Sequence, residues 1–521
     1  MAALPLNFTD ALPKDHDSWF FVRVVEEMGV AEFETAYRAD GQGGQPYSPR
    51  SMVALLLYCY SKNLRSGRDI AEACVSDVGA RMIMGNRLPE RSTIDRFRTE
   101  HAERLMRLFA QTLRLGDVEG LVDVSVVAGD GTKVVANAAM SATVAEPALR
   151  AQIGDLEERL RQAQDQWEAV TGGDDGAGGS PADALFGPGA DLDAGGEEVS
   201  GGFARAGSSQ QVQVKAWRRV ATLQGMLDKR RAALAHLGAN PGSEVVDWQE
   251  KLARDQARVV RRQEHLDQTV DKLTAAAAHR QEIVEAGGKI PGRTPVPVQD
   301  SSLVRRARTA LGTAVARARA TAQDRPAGSR VNPTDLSSRI MPGKHDGYDQ
   351  RYNLQALACR RQFILAVTLH DNPNDKQAMI DLLQAGRDNL DIAGILKRIG
   401  TALFDSGYAS EANFTADIPV DLLLVAVEKE ARQTGRLKDA TSTAAAVWAT
   451  MGERLAQPEN KALYKQRAAM IEPLFAQMFA RFGNDLHERG PKVLAEIFLW
   501  AITHNCLKIH RSRLAKAAGK T

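Results

Sequence analysis

Cysteine is scarce in this chain, and long apolar runs are missing altogether. Cys59, Cys74, Cys359 and Cys506 are the only four cysteines in 521 residues. None stands at a spacing that metal ligands use, and their surroundings suit buried, reduced thiols, which points to a cytoplasmic protein. No stretch of about 18 apolar residues occurs, so no segment is expected to span a membrane. The start, Met1-Ala2-Ala3-Leu4-Pro5-Leu6-Asn7-Phe8, lacks a basic segment followed by an apolar one, so no secretory leader is expected. A charge bias is missing too: the formal net charge is +2, so bulk electrostatics does not announce a nucleic-acid partner.

Local charge says more. Residues 305–330 hold seven Arg and one Asp, and residues 508–520 hold five Lys or Arg and no acid. Such clusters can neutralise phosphates, although solvated basic helices without a partner look the same. A hydrophobic fraction of 44% permits a substantial core.

Residues 1–118 read as helical. The stretch Leu88-Pro89-Glu90-Arg91-Ser92-Thr93-Ile94-Asp95 offers Ser92 as an N-cap, with Asp95 where a capping box usually has Glu or Gln. The helix that follows carries Arg96, Arg98 and Arg104. Short helices, a turn and a capped Arg-bearing helix suit a helix-turn-helix, and a plain helical bundle gives the same periodicity. In the middle, Leu149, Ile153, Leu156, Leu160, Ala163, Trp167 and Val170 recur with coiled-coil spacing. At about 1.5 Å per residue the 147–170 helix would extend roughly 36 Å. Residues 172–208, with twelve Gly, are expected to be a flexible loop. Helical pattern resumes from Val212, so residues 141–330 read as a coiled-coil excursion, either a spacer or a surface for dimer contact or DNA clamping.

Strand-like pattern flanks that excursion. Before it, residues 119–140 contain the apolar run Val124–Gly129, ending at Asp130. After it, Tyr352–Ala358 and Phe363–Leu369 read as a hairpin, 375–390 as an amphipathic helix, Thr401–Phe404 as a strand ending at Asp405, and 420–427 as another strand. Helix dominates from Lys461 onward, and Glu472 lies there. A carboxylate at the tip of a buried strand is held by rigid backbone while its head faces a crevice. Asp130, Asp405 and Glu472 together would supply the hard oxygen ligands that paired Mg²⁺ ions, or Mn²⁺ substituting, require.

Three motifs carry a resemblance. They are Asp130-Gly131-Thr132-Lys133 with Ala136-Asn137-Ala138, Asp405-Ser406-Gly407-Tyr408 with Ser410-Glu411-Ala412-Asn413, and Tyr464, Arg467 and Glu472 followed by Pro473, Phe475 and Gln477. In this order they resemble the DDE transposases of bacterial insertion sequences, and the tail His504-Asn505-Cys506-Leu507-Lys508 is similar to that family's ending. The resemblance implies an α/β RNase H-like catalytic core at 119–140 and 331–521, a mixed sheet flanked by helices, behind an all-α DNA-binding domain at 1–118. It implies metal-dependent cleavage and strand transfer at the ends of an insertion sequence by Asp130, Asp405 and Glu472. Asp130 would bridge two metal ions, Asp405 would favour one and Glu472 the other. Double-stranded DNA (terminal repeats and target) is the implied partner, met by Arg91, Arg96, Arg98, Lys133, Tyr464 and Arg467, with a homodimer on the DNA. Tyr464 and Arg467 would lie along one helix before Glu472. Asp371 and Asp375 read as a turn residue and a helix N-cap. One departure stands out: many relatives carry Lys seven residues after the Glu, where this chain has Phe479, and Arg481 is the nearest substitute. A nuclease without strand transfer and a catalytically silent descendant are the competing readings.

Overall fold

The computed structural model describes residues 12–34, 47–171, 208–239, 243–288, 296–323, 330–343, 347–427 and 443–519. The glycine-rich 172–208 segment therefore lies almost wholly outside the described residues. The chain divides into two compact units, one from residues 1–141 and 334–521 and the other from 142–191 and 196–333.

The first unit begins with α1 (Asp17–Met28), α2 (Ala31–Glu34), α3 (Pro49–Ser61), α4 (Gly67–Ser76), α5 (Val78–Ile83), α6 (Arg91–Glu100) and α7 (Ala102–Val118). Helix α6 starts one residue before the expected cap. Glu90 is its N-cap, without a side-chain bond, and Ser92 sits exposed in the first turn. Asp95 is not free to close a capping box, because it pairs with Arg91 and Arg98. Strand β1 (Val126–Val135) follows.

The second unit opens and closes with a two-strand ribbon, β2 (Val144–Ala145) against β3 (Arg330–Val331). Between them, α8 (Glu146–Thr171) packs on α9 (Ser208–Ala239), and α10 (Ser243–Glu285) packs on α11 (Ser302–Gln323). Both pairs are antiparallel: Gln152 meets Arg230 while Gln166 meets Arg219, and Asp255 near the start of α10 meets Arg317 and Thr321 near the end of α11. Leu156, Leu160 and Ala163 bury against Leu223 and Leu227. Val170, at the frayed end of the coiled-coil spacing, is exposed.

Back in the first unit come β4 (Arg339–Pro342), β5 (Tyr348–Cys359), β6 (Ile364–His370), α12 (Ala378–Ile392), β7 (Ile399–Phe404), α13 (Glu411–Thr415) and β8 (Val420–Val425). Helices α14 (Thr443–Ala456), α15 (Pro458–Tyr464), α16 (Arg467–Phe482) and α17 (Lys492–Ala517) complete the described chain. The sheet runs β4-β5-β1-β7-β8, with β6 beside β5 on the side away from β1. β1 is antiparallel to β5 and parallel to β7, and β7 is parallel to β8. The sheet and the N-terminal helices share one apolar core, with Phe109 and Leu113 of α7, Leu382 and Leu383 of α12, and Ile497 and Trp500 of α17 all buried in it. Twelve consecutive buried residues, from Ala495 to Cys506, identify this stretch of α17 as a central helix covered on every side.

The hairpin turn between β5 and β6 is tied down by α16. Pro473 inside α16 has no N–H to offer the Ala469 carbonyl one turn back. Gln362, held at φ 51° in the turn, donates its side-chain amide to that carbonyl at 3.2 Å. His504 and Lys508 of α17 bond the same glutamine from the other side.

Candidate functional site

Asp130 lies within β1, not at its tip. The strand continues through Gly-Thr-Lys to Val135 because β5 pairs with it all the way, Asp130 opposite Ala356 and Lys133 opposite Asn353. What ends before Asp130 is the parallel pairing with β7, which runs from Val126↔Thr401 to Ala128↔Leu403. Two more steps along that register bring Asp130 level with Asp405, the first residue beyond β7. Both carboxylates bond the backbone just ahead of them: Gly131 N–H donates to Asp130 Oδ1 and Gly407 N–H donates to Asp405 Oδ1, each at 2.8 Å.

Asp130 is further held by Arg467, whose Nη1 donates to its Oδ2 at 3.0 Å. Burial and the neighbouring Asp405 charge push the Asp130 carboxyl above its ordinary range, while Arg467 and the Gly131 N–H oppose them. Tyr464 donates its hydroxyl to the Phe404 carbonyl, the last residue of β7, at 3.0 Å. Tyr464 and Arg467 do not share one helix. The chain turns at Lys465-Gln466, where Gln466 N–H bonds Leu463 O and the α-helical ladder breaks; Tyr464 reaches the end of β7 and Arg467 reaches Asp130 within β1.

The opposite face of β1 carries a second polar group. Side chains alternate across a strand, so Gly131 and Lys133 face away from Asp130. There the Asp375 Oδ1 accepts from Asn353 at 2.7 Å, Gln355 at 2.9 Å and Lys133 at 3.4 Å. Tyr408 donates to the side-chain amide oxygen Oε1 of Gln355. A Cβ at Gly131 would meet Asp375 Oδ1 at 2.9 Å, and one at Gly407 would lie 3.5 Å from its Oδ2. Asp375 thus braces the two backbone segments that carry Asp130 and Asp405. It is not the N-cap: Asn374 caps the 3-10 turn Asp375–Gln377, and Gln377 is the N-cap of α12. Burial draws the Lys133 ammonium below its ordinary pKa, although Asp375, Asp130 and Asp405 favour its charge. It also lifts the Tyr408 hydroxyl well above its own, helped by the same three acids.

Glu472 is placed differently. It is exposed on α16 and makes no hydrogen bond or ion pair among the described residues, whereas its neighbours Ile471 and Leu474 are fully buried. Among the described residues no three His, Cys, Asp or Glu side chains are gathered to hold a metal ion. Asp130 and Asp405 present carboxylate oxygens, the ligand type that hard divalent cations take.

The expected DNA-contacting arginines of α6 divide. Arg96 is exposed and makes no hydrogen bond or ion pair among the described residues; Arg91 is exposed and pairs with Asp95 at 3.3 Å. Arg98 is buried, donating to Tyr60, the Arg65 carbonyl, Asp95 and Glu488. Arg481 turns away from the carboxylates and donates to the Ser61 carbonyl at 2.5 Å, while Phe479 stacks on Phe475.

Asp375, read as a cap, Tyr408, quoted only within a motif, and Asn353 and Gln355 in the hairpin strand were not among the expected site residues. Their signal was two amides two residues apart, Asn353 and Gln355, on one face of an otherwise apolar strand. Buried amides demand partners.

No helix among the described residues is long and apolar enough to cross a membrane. No curated protein and no solved structure matches the chain. Residues 6–100 match the family model described as a transposase domain (DUF772). The described residues among them form N-terminal helices that share a core with the carboxylate-bearing sheet, and over this range the chain is similar to transposases.

Proposed function

We propose that the chain is a DDE-type transposase with an RNase H-like core, acting on the ends of an insertion sequence by metal-dependent cleavage and strand transfer. The observation that carries this reading is the parallel register of β1 and β7, which sets Asp130 and Asp405 side by side. The strand order, with three antiparallel strands ending on β1 and two parallel strands beyond it, is the arrangement that the reading calls for, and the transposase-domain match agrees with it. Asp130 and Asp405 would hold Mg²⁺ or Mn²⁺, with Glu472 as the third ligand and two ions in all. When bound, such ions activate a water or 3′-hydroxyl and stabilise the leaving oxygen. In the resting arrangement Arg467 neutralises Asp130; in the reading it serves the phosphate of bound DNA, for which a guanidinium fork is suited. Tyr464 fixes the strand end beside it, and the exposed Arg96, with Arg91 beside it on Asp95, would meet DNA from α6.

Manganese-supported nicking of duplex DNA tests the reading. Asp130→Asn and Asp405→Asn should each cost at least about a hundredfold, with the thermal midpoint little changed, because a metal-binding charge is lost without a change of shape. Nicking that survives in either variant removes that residue from the site. A second reading, a silent DNA-binding descendant, is favoured by the exposed, unengaged Glu472. Glu472→Gln separates the two: loss of nicking equal to that of the Asp variants supports the enzyme, and absence of nicking in the wild type supports the descendant.

A further inference from the structure

Away from the carboxylates, a cavity of about 440 Å³ opens between the C-terminal end of α3, the last turns of α16 and the middle of α17. Its lining includes Lys62, Asn63, Gln477, Arg481, Lys508 and Arg511, and no Asp or Glu among the described residues. Lys62 is answered by Asp77 at 2.7 Å. The other three cations form no ion pair among the described residues. Arg481 donates to the Ser61 carbonyl, Lys508 donates to the Arg361 carbonyl and Gln362, and Arg511 is exposed with no hydrogen bond or ion pair among the described residues. Burial and Arg511 lower the pKa of both Arg481 and Lys508, with Asp17 opposing the shift at Arg481, so positive charge is crowded along this cavity.

Three cations on two helices, with side-chain amides between them, match the chemistry of a phosphate group: donors from several directions and net positive charge. We propose that this cavity is a phosphate-binding pocket that takes a backbone phosphate of duplex DNA. The proposal rests on the reading of the chain as a DNA-acting protein. It adds a contact that neither the transposase-domain match nor the three motifs assign. Arg481 lies nine residues beyond Glu472 on α16, so DNA seated here is registered by the helix that also carries Arg467.

The full chain is titrated with a short labelled duplex of arbitrary sequence at a series of salt concentrations. Lys508→Gln and Arg511→Gln are compared with wild type, and Arg511→Glu is added as the charge reversal. Arg511 is exposed, so its variants keep the fold. Each neutral variant should bind more weakly, with the salt-dependence slope reduced by about one, and Arg511→Glu should weaken binding further. In a parallel arm, inorganic phosphate should raise the thermal midpoint of wild type more than that of Lys508→Gln or Arg511→Gln. An unchanged slope in all three variants, while Asp130-dependent nicking proceeds, overturns the pocket and leaves the transposase reading standing. Phosphate stabilisation lost in the variants, without DNA binding by wild type, overturns the DNA assignment together with that reading and makes free phosphate the ligand.

Discussion

Charge is handled differently in the two units. The sheet-containing unit has exposed pairs such as Arg107 with Glu32, but it also takes some charged side chains inside and answers them there: Arg98 by Asp95 and Glu488, Arg65 by Glu496, Asp130 by Arg467. In the helical unit most ion pairs, such as Arg161 with Glu158 and Asp165, stay in solvent over a thin seam of leucines. Buried pairs are costly to break because the surviving partner cannot return to water, whereas solvated pairs lose little. The difference teaches where this chain can tolerate change.

The sharpest way to break that contrast is Arg98→Ala. It strands Glu488 and the Tyr60 hydroxyl and should cost about 3–5 kcal/mol in denaturant unfolding. Arg96→Ala, two residues away but exposed, should stay within about 0.5 kcal/mol. Equal costs for the two would mean that burial is not what separates them.

A pH titration comes next. Burial holds the His504 imidazole down at about 4, against about 6.5 in an unfolded chain. The unfolded state therefore binds more protons between those values. Stability from this residue is fully present above about 6.5 and drains away as the pH falls through about 4, by roughly 3 kcal/mol in all. His504→Gln should flatten that acid limb, read as unfolding free energy against pH.

Smaller still, and confined to the other unit, is Leu227→Ala. Its side chain is fully buried in the α8–α9 seam, so truncation should cost about 2–3 kcal/mol of helical stability while nicking persists. Loss of nicking would show that the units act as one. At the bottom of the scale, Arg161→Ala should leave the thermal midpoint where it was, since both partners are solvated.

Legibility in the sequence followed the range of the interactions. The strand–hairpin–helix–strand order around Asp130 and Asp405 could be read because each element announces itself within about ten residues, by alternation in Tyr352–Ala358 or by the apolar run before Asp405. The continuation of β1 past Asp130 could not. Gly131-Thr132-Lys133 has the composition of a turn, and only pairing with β5, more than two hundred residues later, keeps it extended. The same distance hid Arg98, whose partner Glu488 lies far along the chain, and Asp375, whose setting looks like a cap until Asn353 and Gln355 are placed opposite it. The fold of the site was local information, and its electrostatics was not.

One small element has a use beyond the fold. β2 and β3 pair Val144 with Val331 and Ala145 with Arg330, so the point where the chain departs into the helical unit and the point where it returns are neighbours. Antiparallel strands so paired can be joined by a tight two-residue turn. The ribbon is therefore a splice port. Everything between Ala145 and Arg330 can be cut out, or exchanged for another folded module, with the two cut ends already lying within reach of a single hairpin.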